Sequence, residues 1–326
     1  MHAAAREARA AQGESREPAG AAPRAALPAR EPGMGLDHER THARTLAERE
    51  TELLARLGWR IERGELELPQ LPSTSLAAID LCARPHVEIR DLVALIERDP
   101  MLSSELLRLA NSVLYAANEP AQTLNEAVLR VGLRTLRSML YSVSVRGAIL
   151  REGNLSVYAQ EVWRQSSSSA AIARALAGPL RLDKERAYLI GLLHDVGKLP
   201  LLAMLRKEAA KESEITPALV GRVFRMHHEA AGAALARAWK LPEELAEVAG
   251  NHHRFETNLG HGEAAALASL AHKFDLHLSM NSEEELRALV RTREMDFLGV
   301  DEPRRHTLVA RAQEAFELQL SEARSP

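Results

Sequence analysis

The chain has 326 residues, 46% of them hydrophobic and 27% charged, which is typical of a globular protein with one large domain or two smaller ones. Its net charge of −3 gives no basic surplus of the kind that nucleic-acid-binding proteins carry, and its single cysteine, Cys82, excludes an internal disulfide bond. We find neither an apolar stretch approaching the roughly 20 residues that cross a bilayer nor a secretory leader. The sequence therefore predicts a cytoplasmic protein.

The sequence of the N-terminal part, residues 1–67, predicts a disordered segment followed by a first helix. Residues 1–44 are rich in Ala, Arg, Glu, Gly and Pro and have almost no large apolar side chains, which predicts disorder. Residues 45–67 predict a leader helix that ends near Gly58, followed by a linker. The two prolines of the stretch 66–72 favour an extended or turned backbone there.

Helical signals are dense from Ser73 onward. The first of these helices places Cys82 on its apolar face, so this side chain is expected in the core. Asp99-Pro100 combines an N-cap with a proline at the first helical position. Thr123 and Glu126 form a capping box for a helix that Gly132 ends, and Ser282 with Glu285 forms another. Further helical patterns cover about 88–98, 133–150, 160–177, 184–206, 217–239, 242–253 and 262–277.

The fold class that follows is all-α, because no stretch of the sequence shows the alternation of a strand. Two polar segments have simple structural interpretations within it. The four serines of 166–169 are small enough to let two helices approach closely. Asn111-Ser112 is typical of a helix C-cap that fixes a turn rather than of a catalytic pair.

Histidine is unevenly distributed along the chain. Eight of the 13 histidines lie between His194 and His277. His194-Asp195 follows the apolar run 187–193, so we expect a buried helix to carry the pair into the interior. His228 and the pair His252-His253 would come from two further helices. Any one of these histidines alone would be interpreted as a surface or satisfied core residue. The group, however, indicates a metal centre, since imidazole nitrogen and carboxylate oxygen suit Fe, Mn or Zn and unpartnered buried rings are costly.

Several separated blocks of the chain occur in the order of one known family. The central block is LLHDVGKLPLL (192–202), in which Lys198 follows the His-Asp pair. The other blocks are LPQLPS (68–73), ERDPMLSSELLRLANSVLY (97–115), EAVLRVGLRTLRSM (126–139), HHEAAGAALARAWKLP (227–242) and VAGNHH (248–253). Together they resemble the HDOD domain, an HD-related output branch of the HD superfamily, and the central block resembles its HD motif, including the lysine. The resemblance covers about residues 66–275 and implies an all-helical HDOD fold.

The resemblance also implies a degenerate metal site. Five of the seven usual ligand positions of the related HD-GYP enzymes are kept, namely His194, Asp195, His228, His252 and His253. Gln165 stands where the superfamily has its first histidine, and His272 stands where it has a closing aspartate. Glu161 matches a ligating glutamate of some three-metal HD-GYP enzymes, and we place these three residues at the edge of the site. No GYP segment follows the paired histidines. Such a site is suited to one ion and not to a two-metal clamp.

The implied organisation is an HDOD domain at 68–280, with an N-terminal bundle (68–150) and an HD-like bundle (151–280), followed by a helical tail (281–326). The expected function is a non-catalytic signalling or regulatory module that binds an unidentified protein partner through the surface of 86–140. The alternative is a metal-dependent HD-type phosphohydrolase acting on a nucleotide or a cyclic dinucleotide. The expected cofactor is at most a divalent ion (Fe, Mn or Zn), with neither nucleic acid nor membrane as a partner. Lys198 is expected to be more exposed than the His194-Asp195 dyad.

Overall fold

The computed structural model describes residues 48, 50–115, 117–150, 156–209, 215–258, 260–280 and 288–324, all within one compact unit that begins at Leu46. Across these ranges the chain forms helices joined by turns, with no strand, which confirms the all-α prediction. The predicted disorder of 1–44 and the predicted capping box of Ser282 and Glu285 lie outside the described residues.

The N-terminal helices are short until the last one. They are α1 (50–62), α2 (Ser73–Cys82), α3 (Ile89–Ile96), α4 (Pro100–Ala110) and α5 (Leu124–Leu150). The predicted end of α1 near Gly58 is wrong, because the helix continues to residue 62. Leu53 and Leu57 anchor it with 4% and 0% exposure, and a glycine inside a helix costs only about 1 kcal/mol.

The caps of α4 and α5 follow from local sequence. The Asp99 carboxylate accepts hydrogen bonds from the backbone N–H groups of Met101 and Leu102 at 2.9 and 3.2 Å. The Glu126 N–H donates to Thr123 Oγ1 at 3.2 Å, while the Glu126 carboxylate accepts from the N–H of Gln122. Helix α5 is interrupted at Gly132, where φ is 77°. Both predicted starts, and the predicted break, are confirmed.

Asn111 and Cys82 have structural places in this bundle. Asn111 is the C-cap of α4, and its side chain bonds both the N–H (2.7 Å) and the carbonyl (3.0 Å) of Ala121, across a ten-residue separation. This confirms the interpretation of Asn111 as a cap. Cys82 packs half-buried against the core, and burial raises the pKa of its thiol to about 11.

The second part of the fold carries the histidines. Its helices are α6 (Ser156–Ala177), α7 (Lys184–Leu193), α8 (Lys198–Glu208), α9 (Pro217–Ala238), α10 (Glu243–Asn251), α11 (Gly262–Met280), α12 (Arg293–Phe297) and α13 (Glu302–Arg324). Helix α6 packs on α7, α11 and α13, and α9 packs on α8 and α10. The described part of the predicted tail, α12 and α13, thus packs onto the histidine-bearing helices.

Residues 184–206 do not form the single helix that their pattern predicts. A turn at 194–197 separates α7 from α8, and nearly every side chain on both sides is buried. Taken together, Lys184–Glu208 is long and apolar enough to cross a membrane, contrary to our expectation that no stretch is. Because 83% of its apolar window is buried inside the fold, packing accounts for its hydropathy without a bilayer.

Backbone contacts set the spacing of the helices around this turn. A Cβ atom at Gly191 would lie 2.4 Å from the carbonyl oxygen of Ser169, and a Cβ at Gly197 would lie 2.0 Å from that of His228. The serines of 166–169 are all buried at this contact, as their interpretation as small packing residues predicts. Helix α7 is therefore in close backbone contact with α6 at Gly191. The turn after α7, which carries His194 and Asp195, is in close backbone contact with α9 at Gly197.

Candidate metal centre

Five histidines and one aspartate from four segments meet in a single cluster. His194 and Asp195 come from the turn after α7, and His228 comes from α9. His252 and His253 come from the 3₁₀ turn His252–Thr257, and His272 comes from α11. The ring of His252 lies 5.0 Å from that of His194, 5.2 Å from that of His228 and 4.2 Å from that of His253, between ring centroids. The structure thus brings all five predicted ligands together, although their role as ligands stays a prediction.

Asp195 lies at the centre of the cluster and is almost fully buried. Its carboxylate oxygens lie 3.2 Å from His194 Nε2, 3.6 Å from His228 Nε2, 3.7 Å from His252 Nε2 and 3.5 Å from His272 Nδ1. His272 is closer than the edge position we predicted, because its Nδ1 is 3.2 Å from Nε2 of His194. Its side chain keeps 20% of its surface exposed.

Backbone carbonyls orient three of the rings. Nδ1 of His194 bonds the carbonyl of Gly191 at 2.8 Å, and His228 and His252 bond the carbonyls of Phe224 and Val248 in the same way. A carbonyl oxygen only accepts, so each Nδ1 carries the proton. The lone pair of each Nε2 then faces the cluster, which is the arrangement of metal-ligating histidines.

Unpartnered buried atoms show that these residues fit a metal ion. Nε2 of His228, Nε2 of His252 and Oδ1 of Asp195 are buried and have no hydrogen-bond partner among the residues that the structure describes. Two groups have ligand atoms within 4.8 Å of one another, His228 with His252 and His253, and His194 with Asp195 and His272. Ligand atoms around a tetrahedral ion with bonds of about 2.1 Å are about 3.4 Å apart, so small movements would complete a coordination sphere.

The charges of the cluster also suit a metal. Burial lowers the pKa of His252 well below 6.5, lowers those of His228 and His253, and lowers that of His272 to about 3. Burial alone would raise the pKa of Asp195, but Lys198, His194 and His272 outweigh it and hold it well below 3.8. At neutral pH His228, His252, His253 and His272 are therefore neutral imidazoles beside one carboxylate.

Lys198 belongs to the site, and it is more exposed than the His194-Asp195 dyad, as we expected. Its side chain is only 12% exposed, and its Nζ lies 2.5 Å from Asp195 Oδ2. The same ammonium donates to Oε1 of Gln165 at 3.1 Å. Gln165 thus meets the cluster through this lysine. The motif suggested the lysine, but only tertiary contacts show that its charge faces the carboxylate.

Glu161 stands outside the cluster, engaged by other residues. Its carboxylate pairs with Arg164 at 2.8 Å and accepts from Nε2 of Gln165 at 3.0 Å. Arg164 also forms two hydrogen bonds, of 2.8 and 3.0 Å, to the buried carboxylate of Asp275. Sequence analysis missed Arg164 and Asp275, since 111 residues separate them and neither belongs to a local motif.

Comparison with known proteins identifies the family. Residues 68–255 match the HDOD domain. The chain belongs to the HDOD domain family. The match includes His194, Asp195, His228, His252 and His253, while His272 and helices α11, α12 and α13 lie beyond it.

A longer protein is similar to this HDOD chain over about two thirds of the chain. An "Uncharacterized protein" of Treponema pallidum (strain Nichols) is 34% identical over 221 residues, which cover 65% of this chain and 41% of that protein. The chain therefore spans less than half of the curated relative it matches.

Solved structures share the HDOD fold at low identity. A "Putative metal-dependent phosphohydrolase" from Shewanella amazonensis SB2B is 23% identical, with a TM-score of 0.63 over 81% of this chain and 99% of its own. An HDOD domain protein with unknown function from Geobacter sulfurreducens is 22% identical, with a TM-score of 0.56 over 85% and 94%. A "Putative signal transduction protein" from Marinobacter aquaeolei VT8 is 22% identical, with a TM-score of 0.56 over 83% and 65%. These likenesses show the fold alone.

Proposed function

We propose that this HDOD chain is a non-catalytic, cytoplasmic signalling module that acts by binding a protein partner. Membership of the HDOD family supports this proposal. The observation that carries it is the poverty of carboxylates at the site. A clamp of two metal ions stabilises both the attacking and the leaving oxygen of a displacement, and it needs anionic ligands that the ions share. Among the described residues one carboxylate, that of Asp195, contacts the imidazoles of the cluster.

The neighbouring carboxylates are held away from such a role. Oδ2 of Asp195 already pairs with Lys198, and the carboxylates of Glu161 and Asp275 are both bound by Arg164. Freeing Asp275 for a metal would break its buried pair with Arg164, at a cost of about 3–5 kcal/mol, and would leave the guanidinium with the exposed Glu161 alone. Gln165 adds only a neutral amide oxygen, which is already engaged by Lys198.

The role we assign to the cluster is structural. His228, His252, His253 and Asp195 would hold a single divalent ion, which would join three segments as a closed structural site does. Carbonyl-oriented rings and a permanently ionised carboxylate are this chain's own contribution to that binding. Without an ion, the ion pair of Lys198 with Asp195 still connects the turn to the surrounding rings.

Protein binding is assigned to the N-terminal bundle. Four large apolar side chains within 86–140 are exposed, and they are Met101 (56%), Val113 (95%), Leu114 (66%) and Leu129 (67%). Exposed apolar side chains of this size favour contact with a partner. The double substitution Val113→Asp, Leu114→Asp should abolish co-purification with the natural partner, whereas Val157→Asp, on the exposed side of α6, should not.

One observation favours the alternative of a metal-dependent phosphohydrolase. The unpartnered Nε2 atoms of His228 and His252 are oriented as ligands, and a structural relative from Shewanella is named for this activity. A single bound ion would activate a water molecule by lowering its pKa. The substrate would then be a nucleotide or a cyclic dinucleotide.

Metal analysis and activity assays on one preparation separate the two functions. We expect at most one divalent ion per chain, and no hydrolysis of cyclic dinucleotides or nucleoside phosphates above background with added Fe, Mn or Zn. The control is the His194→Ala, Asp195→Ala double variant. Turnover in the parent that this variant loses would establish the phosphohydrolase and reject the non-catalytic role.

A further inference from the structure

Helix α12 lies beyond the HDOD match, yet its first residue, Arg293, contacts the segment that carries the paired histidines. Nη2 of Arg293 donates to the backbone carbonyl of His253 at 2.8 Å. Nη1 of the same side chain lies 3.1 Å from the carboxylate of Glu256, and its guanidinium stacks 4.9 Å from the ring centre of Phe255. One arginine therefore makes three contacts with the 3₁₀ turn that presents His252 and His253.

The next residue, Glu294, accepts hydrogen bonds from two side chains of α11, the helix that carries His272. Its carboxylate is fully buried, accepts from Oγ of Ser269 at 2.7 Å and accepts from Nζ of Lys273 at 2.8 Å. Ser269 and Lys273 are four residues apart on α11, so they lie on one face and flank the turn that bears His272. A buried acid with two donors on one helix fixes both the rotation and the depth of that helix.

Apolar contacts hold α12 itself in place. Met295 is fully buried, and the ring of Phe297 packs against that of Phe255 at 5.1 Å. Thr292 caps the helix by accepting from the N–H of Met295. Arg293 and Glu294 thus project from an anchored element, so the bonds that they make can position their partners.

The histidines reached by α12 are the less constrained ones. His194, His228 and His252 are buried, and each is oriented by a bond from Nδ1 to a carbonyl of its own segment. His253 is more exposed and is instead placed through its backbone, whose N–H donates to Glu229 and whose carbonyl accepts from Arg293. His272 is also partly exposed. Contacts from α12 should therefore affect the positions of these two rings more than those of the other three.

We infer that Arg293 and Glu294 are positioning residues that set His253 and His272 in the cluster, so that the metal affinity of the centre depends on a segment outside the HDOD match. The inference rests on the proposed single-ion role of the site. Residues that orient metal ligands typically change metal affinity by about 10- to 100-fold when they are replaced.

The test compares two arginines of similar exposure in the full-length chain. Arg293 is 55% exposed and contacts the histidine segment, whereas Arg304 is 51% exposed and pairs with Asp301 in its own turn. Zn²⁺ affinity is measured by competition with a chromogenic chelator. We expect Arg293→Ala to weaken binding at least about tenfold, Arg293→Lys to restore part of the loss, and Arg304→Ala to match the parent. Equal losses in the two alanine variants would overturn the inference.

Histidine-selective ¹³C labelling gives a readout that requires no metal. In the metal-free protein, Arg293→Ala and the isosteric Glu294→Gln should shift the ring signals of His253 and His272 and leave that of His228 in place. Unchanged signals together with parental affinity would reject the positioning role, even if the site binds Zn²⁺. If the parent binds no Zn²⁺, the single-ion role fails, and the ring signals alone decide whether α12 positions the two histidines.

Discussion

The N-terminal helices and the histidine-bearing helices bury very different groups. Helices α2–α5 pack Leu, Ile, Val and Ala, and their polar bonds include the caps at the starts of α4 and α5. Around the turn at 194–197, the second part buries three imidazoles and a carboxylate, with a partly exposed imidazole and an ammonium beside them. An apolar core tolerates small changes of volume, but a buried polar cluster loses stability when any one partner is removed. The two regions should therefore respond differently to mutation and to pH.

Removing Asp195 should give the largest effect. Asp195→Ala leaves the Lys198 ammonium without its anion in a site where the lysine side chain is 12% exposed. Loss of one partner of a buried ion pair costs about 3–5 kcal/mol. The matching change in the first region, Asp99→Ala, removes an N-cap worth about 1 kcal/mol. Denaturant unfolding measures both. Similar losses in the two variants would show that the cluster is no more critical than a helix cap.

Glycine-to-alanine substitutions should have opposite signs in the two regions. Gly197→Ala places a methyl group 2.0 Å from the carbonyl oxygen of His228, so the backbone must shift, and overpacking costs about 1–3 kcal/mol. Gly147→Ala on α5 meets no atom of the described residues within 4 Å and should stabilise the chain by about 0.4–1 kcal/mol, since it restricts the unfolded state. Thermal melting distinguishes them. A stabilised Gly197→Ala variant would contradict the close approach of the turn to α9.

Acid should weaken the histidine-bearing region first. The unfolded chain binds protons at histidine below about pH 6.5, whereas burial lowers the pKa of His272 to about 3 in the folded chain. The unfolded state therefore gains protons that the folded state does not, and stability falls as the pH drops from 6.5. Each such histidine contributes a slope of about 1.4 kcal/mol per pH unit. Asp195, whose pKa lies well below 3.8 in the folded chain, adds to the loss of stability mainly below this window, where the carboxyl of the unfolded chain takes up its proton.

Urea titrations of the chelator-treated protein between pH 7.5 and 4.5 measure this slope. His272→Asn should reduce it by about 1.4 kcal/mol per pH unit. His86→Asn, at an exposed position of the first region, is the control for the substitution itself. A slope that both variants leave at the parental value would show that His272 is protonated as readily in the folded chain as in the unfolded one.

The sequence predicts those parts of the fold that depend on near neighbours. The starts of α4 and α5 follow from Asp99-Pro100 and from Thr123 with Glu126, because a cap bonds N–H groups two to four residues away. The break between α7 and α8 is not predictable in this way, since residues buried on all sides leave no helical periodicity to interrupt. The end of α1 is missed because the burial of Leu57 outweighs the glycine beside it.

The same limit applies to the candidate site. The identities of its main residues follow from the clustering of histidine and from the resemblance to HDOD domains. Three features of the site do not follow from the sequence, because each depends on contacts between side chains that the fold brings together. They are the position of His272 next to His194, the burial of Lys198 and the contacts of Arg293. Burial of a charged side chain depends on what packs over it, and neither spacing nor composition records that.

The two hydrogen bonds between the Asn111 side chain and the Ala121 backbone have a consequence for recognition. They close a loop at both the N–H and the carbonyl of one residue, and Arg130 adds a further bond to the carbonyl of Glu119. The apolar side chains of Val113 and Leu114 are displayed on this closed loop. Much of the conformational entropy that a free loop would lose on binding is already lost on folding. A protein that docks here would meet a preformed surface, and its association should be limited by encounter and not by ordering of the loop.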